Sequence, residues 1–227
     1  MYTNDPLLLH SNHAAELFLI RHGDAIPEAD EIIPGGTYDN LPLSKIGRQQ
    51  ARALAERLKT IHFAAAYSSP LRRCQETAAP LLELLAMQAS IVEGIQEVRH
   101  GDVIDIPDFK EGEDLGPLTR MLQQRLGEIA RLVGPSGSWD AISGAESSKG
   151  FRKRVVSAID EIAQKHQGER VLIFAHGGTI NAYAAEVLGL EKEFFFPCAN
   201  TSITIVRASG EQRVLFILND IAHLQMS

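Results

Sequence analysis

Two apolar runs that each end in a histidine followed by glycine restrict the fold of this chain more than any other feature. The first is residues 17–23 (LFLIRHG) and the second is residues 171–178 (VLIFAHGG). Short continuous apolar runs are typical of parallel strands that are buried on both faces. In open α/β sheets, ligands bind beyond the carboxyl ends of such strands. The pattern therefore predicts that Arg21, His22 and His176 meet at one crevice of an α/β domain.

The composition indicates a soluble globular protein. The chain has 227 residues, of which 44% are hydrophobic and 22% are charged, and its formal net charge is -7. The negative charge argues against nucleic-acid binding, which needs a basic surface. No apolar stretch is long enough to cross a bilayer, and the short run at residues 6–9 lacks the basic flank of a secretory signal. Two cysteines, Cys74 and Cys198, are too few for a disulfide framework and favour a reducing, cytoplasmic compartment.

Strand and helix patterns alternate along the chain. Ser44 has the sequence context of a helix N-cap, and the apolar positions that follow it repeat with helical spacing. Further elements are expected at residues 63–67 (strand), 71–87 (helix), 90–92 (strand), from 151 onward (helix), 179–188 (helix), and 202–207 with 213–218 (a hairpin turning at residues 209–210). This alternation predicts a three-layer α/β/α sandwich with a mostly parallel central sheet.

The expected domain organisation is simple. Residues 1–16 form a polar N-terminal arm, and residues 17–227 form one α/β domain. Residues 102–150 contain several prolines and glycines around one helical pattern. We expect this stretch to be a partly helical insertion over the active edge of the sheet, where loops carry specificity. The apolar segment at residues 194–197 (FFFP) is either core or the contact of a homodimer.

Three other segments place reactive side chains where strands are expected to end. Residues 69–78 (SPLRRCQETA) put two arginines at the start of a helix, and residues 95–102 (IQEVRHGD) put a glutamate and a histidine after a strand. Residues 176–179 (HGGT) put the second histidine beside a glycine pair that opens a helix. Phosphoryl transfer needs a nucleophile, positive charge around the phosphoryl oxygens and a proton for the leaving alcohol. These residue types supply all three.

Together, these segments resemble the motifs of the histidine phosphatase superfamily, in its phosphoglycerate-mutase-like branch. The matching segments are residues 21–24 (RHGD), 43–51 (LSKIGRQQA), 69–78, 144–147 (GAES) and 176–178, with weaker echoes at 200–202, 219–220 and 223–224. The resemblance implies a metal-independent phosphatase that needs no cofactor and acts on a small phosphorylated metabolite.

The resemblance also implies a role for each site residue. His22 would be the nucleophile and carry a phosphoryl group on Nε2, and Glu97 would be the general acid and base. Arg21, Arg73 and His176 would bind the phosphate. The chemistry agrees, because a neutral imidazole is a competent nucleophile and arginines bind phosphate through two parallel hydrogen bonds. We expect the other ring nitrogen of His22 to donate to a backbone carbonyl, which fixes its tautomer.

The register of the match at residues 69–78 distinguishes between the two adjacent arginines. It selects Arg73 rather than Arg72 as the phosphate ligand, and it places Cys74 where the family has alanine. Arg99 and His100 follow the predicted acid closely. Each would either contact a second anionic group of the substrate or face water.

Departures from the family pattern favour a phosphatase over a mutase. Glu28 stands where many relatives have a phosphate-binding asparagine. Val98 replaces the basic residue that follows the mutase glutamate, and residues 102–150 lack the mutase arginine pair. Three alternatives remain open. They are a phosphoglycerate-type mutase, a protein phosphohistidine phosphatase (suggested by RHGDA at residues 21–25), and a non-catalytic phosphate-binding regulatory protein.

Overall fold

The computed structural model describes residues 5–9 and 13–225, which form a six-stranded sheet with helices on both faces. The strands are β1 (Ala15–Arg21), β2 (Ala65–Ser68), β3 (Ala89–Ile91), β4 (Arg170–Ala175), β5 (Ile203–Ser209) and β6 (Gln212–Asp220). Their order is β3-β2-β4-β1-β5-β6, and the first four are mutually parallel. β5 and β6 join the sheet in antiparallel fashion as the expected hairpin. The predicted mostly parallel sheet is confirmed.

Helices cover both faces of this sheet, which confirms the three layers. They are α1 (Lys45–Leu58), α2 (Arg72–Leu84), α3 (Gly116–Val133), α4 (Ser148–Lys165), α5 (Gly177–Leu188) and α6 (Ala222–Gln225). Alternate residues of β1 face opposite layers, so that Phe18 packs in the cluster with α1 and α2, and Leu19 in the cluster with α4 and α5. Both residues are at most 5% exposed, which explains why the strand is apolar without interruption.

The insertion and the first long loop share an apolar cluster of their own. The cluster combines residues of the loop at 24–43 with residues of the insertion at 102–150, and its buried members are Ile33, Leu41, Phe109, Leu115, Leu118 and Leu122. A backbone bridge between Gly36 and Phe109 also ties the two segments together. The cover that the sequence predicts over the site is therefore built from both segments.

The ends of the chain add little to the sheet. β1 already begins at Ala15, and Gln212 Nε2 donates to the carbonyl oxygen of Pro6 at 2.6 Å, so residues 5–9 contact the hairpin. Residues 1–4 and 10–12 of the predicted arm, and residues 226–227 of the predicted domain, lie outside the described residues. The division into arm and domain stays a prediction. In the described part of the chain, no helix is long and apolar enough to span a bilayer.

Part of the FFFP segment and both cysteines pack in the interior of the domain. Phe194 and Phe196 pack against the main core, so part of the FFFP segment serves the fold, and the homodimer stays a prediction. Cys74 and Cys198 are both buried free thiols.

Ser44 is the N-cap of α1, as its context predicts. Its hydroxyl accepts from the Gly47 backbone N–H at 3.0 Å and donates to an Asp24 carboxylate oxygen at 2.5 Å. The cap therefore also fixes the loop that follows β1.

We expect Ser44→Ala to lower the free energy of unfolding by about 2 kcal/mol, because both a cap and a bond to a carboxylate are lost. Ser147, the exposed N-cap of α4, accepts from Gly150 N at 3.2 Å and is the matched control. Its alanine variant should lose about 1 kcal/mol or less. Urea unfolding measures the free energy of unfolding of both variants. Equal losses would mean that the bond from Ser44 to Asp24 adds no stability beyond the helix cap.

Candidate active site

The two motif histidines lie side by side because their strands are neighbours. β1 and β4 pair in parallel with Arg21 opposite Ala175, so the residue after each strand emerges at the same edge of the sheet. The His22 backbone N–H donates to the Ala175 carbonyl at 3.0 Å. The two imidazole ring centroids are 5.2 Å apart. The two histidines that follow the apolar runs therefore lie together at one edge of the sheet, and their role as a site stays a prediction.

The His22 ring has one nitrogen tied to the backbone. Nδ1 lies 2.7 Å from the carbonyl oxygen of Gly23, a contact in which the ring must donate. In the neutral ring, Nε2 therefore keeps its lone pair. Burial lowers the pKa of His22 well below its usual value, and the charges of Arg73 and Arg21 lower it further. The lowered pKa favours the uncharged ring, and the Gly23 contact favours the tautomer that a nucleophile needs.

His176 is the fully buried N-cap of α5. Its Nε2 lies 2.8 Å from the Ser69 hydroxyl oxygen and 3.4 Å from the Cys74 sulfur. Burial lowers the pKa of His176 well below the usual value, and the charge of Arg73 lowers it further. Sequence reasoning did not single out Ser69, although it opens the motif at residues 69–78. Its place in that motif was the available signal.

Two arginines bring positive charge to the histidines. The Arg21 Nη1 donates to the Cys198 carbonyl, while its Nε is buried without a hydrogen-bond partner among the described residues. Arg73 Nη1 donates to the Asp39 carbonyl at 2.8 Å. Arg72 instead pairs with Glu76 at 2.6 Å. Arg73 lowers the pKa of both histidines, and its role as the phosphate ligand stays a prediction.

Glu97 reaches the start of α5 from the segment after β3. Its Oε2 accepts from the Gly178 backbone N–H at 3.1 Å, and its Oε1 accepts from Val98 N at 3.0 Å. A Cβ on Gly178 would lie 2.3 Å from Oε1, so this close approach requires glycine. The second glycine of the HGG motif thus makes room for the carboxylate beside His176.

The GAES motif supports the Glu97 segment from behind. Glu146 forms an ion pair with Arg154 at 2.7 Å, and Arg154 Nη1 donates to the Gln96 carbonyl at 3.1 Å. The motif therefore holds the backbone just before the predicted acid and does not line the crevice itself.

The side chains of His100 and Arg99 lie in different environments. The His100 ring packs on Trp139, with ring centroids 5.4 Å apart. Burial lowers the pKa of His100, Glu97 raises it, and Arg125 lowers it, so His100 belongs to the same charged neighbourhood. Arg99 is exposed, and its charge contributes to the lowered pKa of Glu146. The structure thus brings His100, but not Arg99, towards Glu97, and the binding role of each stays a prediction.

Sequence reasoning missed Arg125 and Trp139, which the insertion brings to this neighbourhood. Trp139 lies 3.2 Å from the position that a Gly178 Cβ would occupy, and its indole N–H is buried without a partner among the described residues. Arg125 Nη2 donates to the Tyr38 hydroxyl at 3.1 Å. Neither residue lies in one of the matched motifs, so the pattern carried no signal for them.

In the described ranges, no three or more His, Cys, Asp or Glu side chains are grouped so that they could hold a metal ion. The charge that the site offers to an anion comes from arginines, and the start of α5 adds its backbone dipole.

The chain is similar to known phosphatases and mutases over nearly its whole length. It is 26% identical to the "Metal-independent phosphoserine phosphatase" of Arabidopsis thaliana, over 94% of this chain and 84% of that protein. It is 28% identical to "Phosphoserine phosphatase 1" of Hydrogenobacter thermophilus, over 92% of this chain and 94% of that protein.

A solved structure supports the fold. The phosphoglycerate mutase of Bacillus anthracis superposes with a TM-score of 0.71 at 20% identity, covering 94% of this chain and 96% of that one. The model of the histidine phosphatase superfamily (branch 1) matches residues 17–221. The chain therefore belongs to the histidine phosphatase superfamily, branch 1.

Proposed function

We propose that this protein is a metal-independent phosphomonoester hydrolase that works through a phosphohistidine on His22. The observation that carries the proposal is the geometry of the His22 ring, which lies beside His176 with Nδ1 bound to the Gly23 carbonyl. Burial and the charges of two arginines lower its pKa and so favour the neutral ring. A buried imidazole beside arginines that form no ion pair with the described residues suits an anionic electrophile such as a phosphoryl group. The unpartnered Arg21 Nε supports the same reading.

The reaction proceeds by two displacements at phosphorus. In the first, the Nε2 lone pair of His22 forms the P–N bond while the ester P–O bond breaks, and Glu97 gives its proton to the leaving alkoxide. In the second, Glu97 takes a proton from water, the water oxygen attacks phosphorus and the P–N bond breaks. Arg21, Arg73 and His176 stabilise the charge on the phosphoryl oxygens in both steps. The products are the alcohol and inorganic phosphate.

Hydrolysis is proposed rather than mutase activity because the usual mutase contacts to substrate are missing. Val98 follows Glu97 where mutases carry a basic residue, and the insertion at 102–150 has no arginine pair. The proposed setting is the reducing cytoplasm, which the two free buried thiols support.

Hydrolysis of p-nitrophenyl phosphate in the presence of a chelator tests the reaction. We expect His22→Ala to lose more than about a thousandfold in kcat, because it removes the nucleophile. The exposed His62 is the control, and His62→Ala should retain wild-type turnover. An alkaline quench should trap phosphohistidine in the wild type only. Equal turnover of wild type and His22→Ala would contradict the assignment, and phosphoglycerate isomerised without release of phosphate would favour a mutase.

Gly178→Ala tests Glu97 as the general acid without replacing it. The added methyl group must displace the Glu97 carboxylate, so we expect kcat to fall by about a hundredfold, the range of general acid catalysis. Gly127 on α3 has open space around it, so Gly127→Ala is the matched control and should keep full kcat. A Gly178→Ala variant with wild-type kcat would remove Glu97 from the mechanism.

The cover over the site holds a buried cation that forms no ion pair with the described residues. Arg125 is only 7% exposed, and no carboxylate of the described residues lies within 4.0 Å of it. Its guanidinium donates to the Ile104 carbonyl and the Tyr38 hydroxyl and lies 4.7 Å from the Tyr38 ring centroid, but its Nε is buried without a partner among the described residues. Asp39 acts on Tyr38 and His100, but it does not pair with Arg125. A buried charge is costly unless it is paired. We therefore propose that the substrate alcohol carries a carboxylate that binds Arg125 and His100.

The names of the two phosphoserine phosphatases agree with this substrate class, since phosphoserine carries a carboxylate on its alcohol part. O-phosphoserine is accordingly the first substrate to test. Phosphoethanolamine has the same phosphoester and amine without the carboxylate, and so it isolates the contribution of Arg125.

We expect Arg125→Met to lower kcat/KM for phosphoserine by about 10- to 100-fold, the value of a lost charge-assisted hydrogen bond. The same variant should change kcat/KM for phosphoethanolamine by less than about threefold. Arg120→Met, at an exposed position of the same helix, is the control and should change neither. An equal loss on both substrates would mean that Arg125 supports the cover and does not bind the carboxylate.

A further inference from the structure

The loop at residues 197–202, here called the clamp loop, holds the nucleophile from its backbone side. The Thr201 N–H donates to the His22 carbonyl at 3.3 Å, and Asn200 Nδ2 donates to the same oxygen at 3.1 Å. The Cys198 carbonyl accepts from the Arg21 guanidinium. One loop thus fixes both the backbone of the nucleophile and a phosphate-binding side chain.

The backbone of the clamp loop is strained at Thr201. Thr201 has φ of 53°, in the left-handed region that a β-branched residue rarely adopts. It is also completely buried. Such a conformation persists only where the surroundings over-determine it. The contacts that hold Thr201 are therefore part of the structure of the site.

Two side chains near the end of the chain hold the clamp loop, and one of them contacts Thr201 itself. Asn219 Oδ1 accepts from Ala199 N at 2.8 Å, and Asn219 Nδ2 donates to the Pro197 carbonyl at 3.1 Å. His223, in α6, places Nε2 3.0 Å from the Thr201 hydroxyl oxygen. The segments at 219–220 and 223–224, which match the family motifs weakly, thus supply side chains that hold the weakly matching segment at 200–202.

Arg57 sets the tautomer of His223. Its Nη1 lies 3.5 Å from His223 Nδ1, and since a guanidinium can only donate, Nδ1 is the acceptor. Nε2 then carries the proton and donates to the Thr201 hydroxyl. Arg57 is itself fixed by Asp220, which accepts from Nη1 at 3.1 Å. His223 is only 6% exposed, and its ring nitrogens lie against Arg57 and Thr201.

We propose that His223 is a positioning residue for phosphoryl transfer, holding the His22 carbonyl, and with it the attacking ring, through Thr201. The His22 ring is tied to the next carbonyl, that of Gly23, so a shift of this backbone moves Nε2 relative to phosphorus. This inference rests on the proposed function, because the effect is read in that reaction. His223 touches no reacting atom.

The test compares four single variants, and the double variant His223→Ala/Thr201→Val, with a wild type already shown to hydrolyse p-nitrophenyl phosphate. His223→Ala removes the contact, and His223→Gln keeps an N–H donor near Nε2. Thr201→Val removes the hydroxyl but keeps the β-branched shape. His166→Ala is the matched control, since its ring also bridges two side chains, Tyr67 at 2.7 Å and Glu169 at 2.7 Å.

We expect His223→Ala to lower kcat by about 10- to 100-fold with KM changed by less than about threefold, as for a small misplacement of a catalytic group. His223→Gln should recover most of the loss, and His166→Ala should retain the wild-type kcat. Thr201→Val should match His223→Ala, and the double variant should be no worse than either, because both break one chain of contacts.

Several results would overturn the inference. One is a folded His223→Ala enzyme with wild-type kcat, and another is additive losses in the double variant. A third is an equal loss in His166→Ala. If His223→Ala fails to fold, Thr201→Val and His223→Gln decide the question in the same assay. An inactive wild type would instead remove the proposed function, and so the two failures are distinguishable.

Discussion

The parallel pairing of β1 with β4 is the constraint on which the site depends. Its register sets Arg21 against Ala175, and the next residue of each strand is a histidine. A slip of one residue would turn a ring from the crevice into a helix layer, because successive side chains of a strand point to opposite faces. Both faces of each strand are buried, so the register is specified by close packing of the side chains against the two helix layers and not by alternation of apolar and polar residues. The packing of the core and the relative positions of the two histidines are thus determined together.

Burial controls the charge of the rings as well as their position. Both imidazoles have a lowered pKa, first through burial and then through Arg73. The site therefore favours two neutral rings close to Arg21 and Arg73, neither of which forms an ion pair within residues 5–9 and 13–225. Under the proposed function, a bound phosphoryl group would supply the anion for these cations. This preorganisation is the electrostatic basis of the proposed chemistry.

The sequence predicts the parts of the site that lie at ends of regular elements. His22 and His176 follow apolar strands, Ser44 caps a helix, and Arg73 stands at the start of α2, so periodicity and motif place all four. Residues that act across the fold were not predictable in this way. Arg125 sits within a helix whose pattern shows only an amphipathic surface, and its lack of a counter-ion is visible only in three dimensions. His223 reaches Thr201 from the end of the chain, and no local spacing encodes that contact.

The separate apolar cluster beneath the cover has a consequence for how this architecture can diversify. Residues such as Leu41, Phe109 and Leu122 pack with one another and not within the layers that flank the sheet. Under the proposed function, mutations that reshape this small cluster would change the alcohol that is accepted while the strands that carry the histidines keep their packing. Substrate choice and phosphorus chemistry would then depend on separately packed parts of one fold.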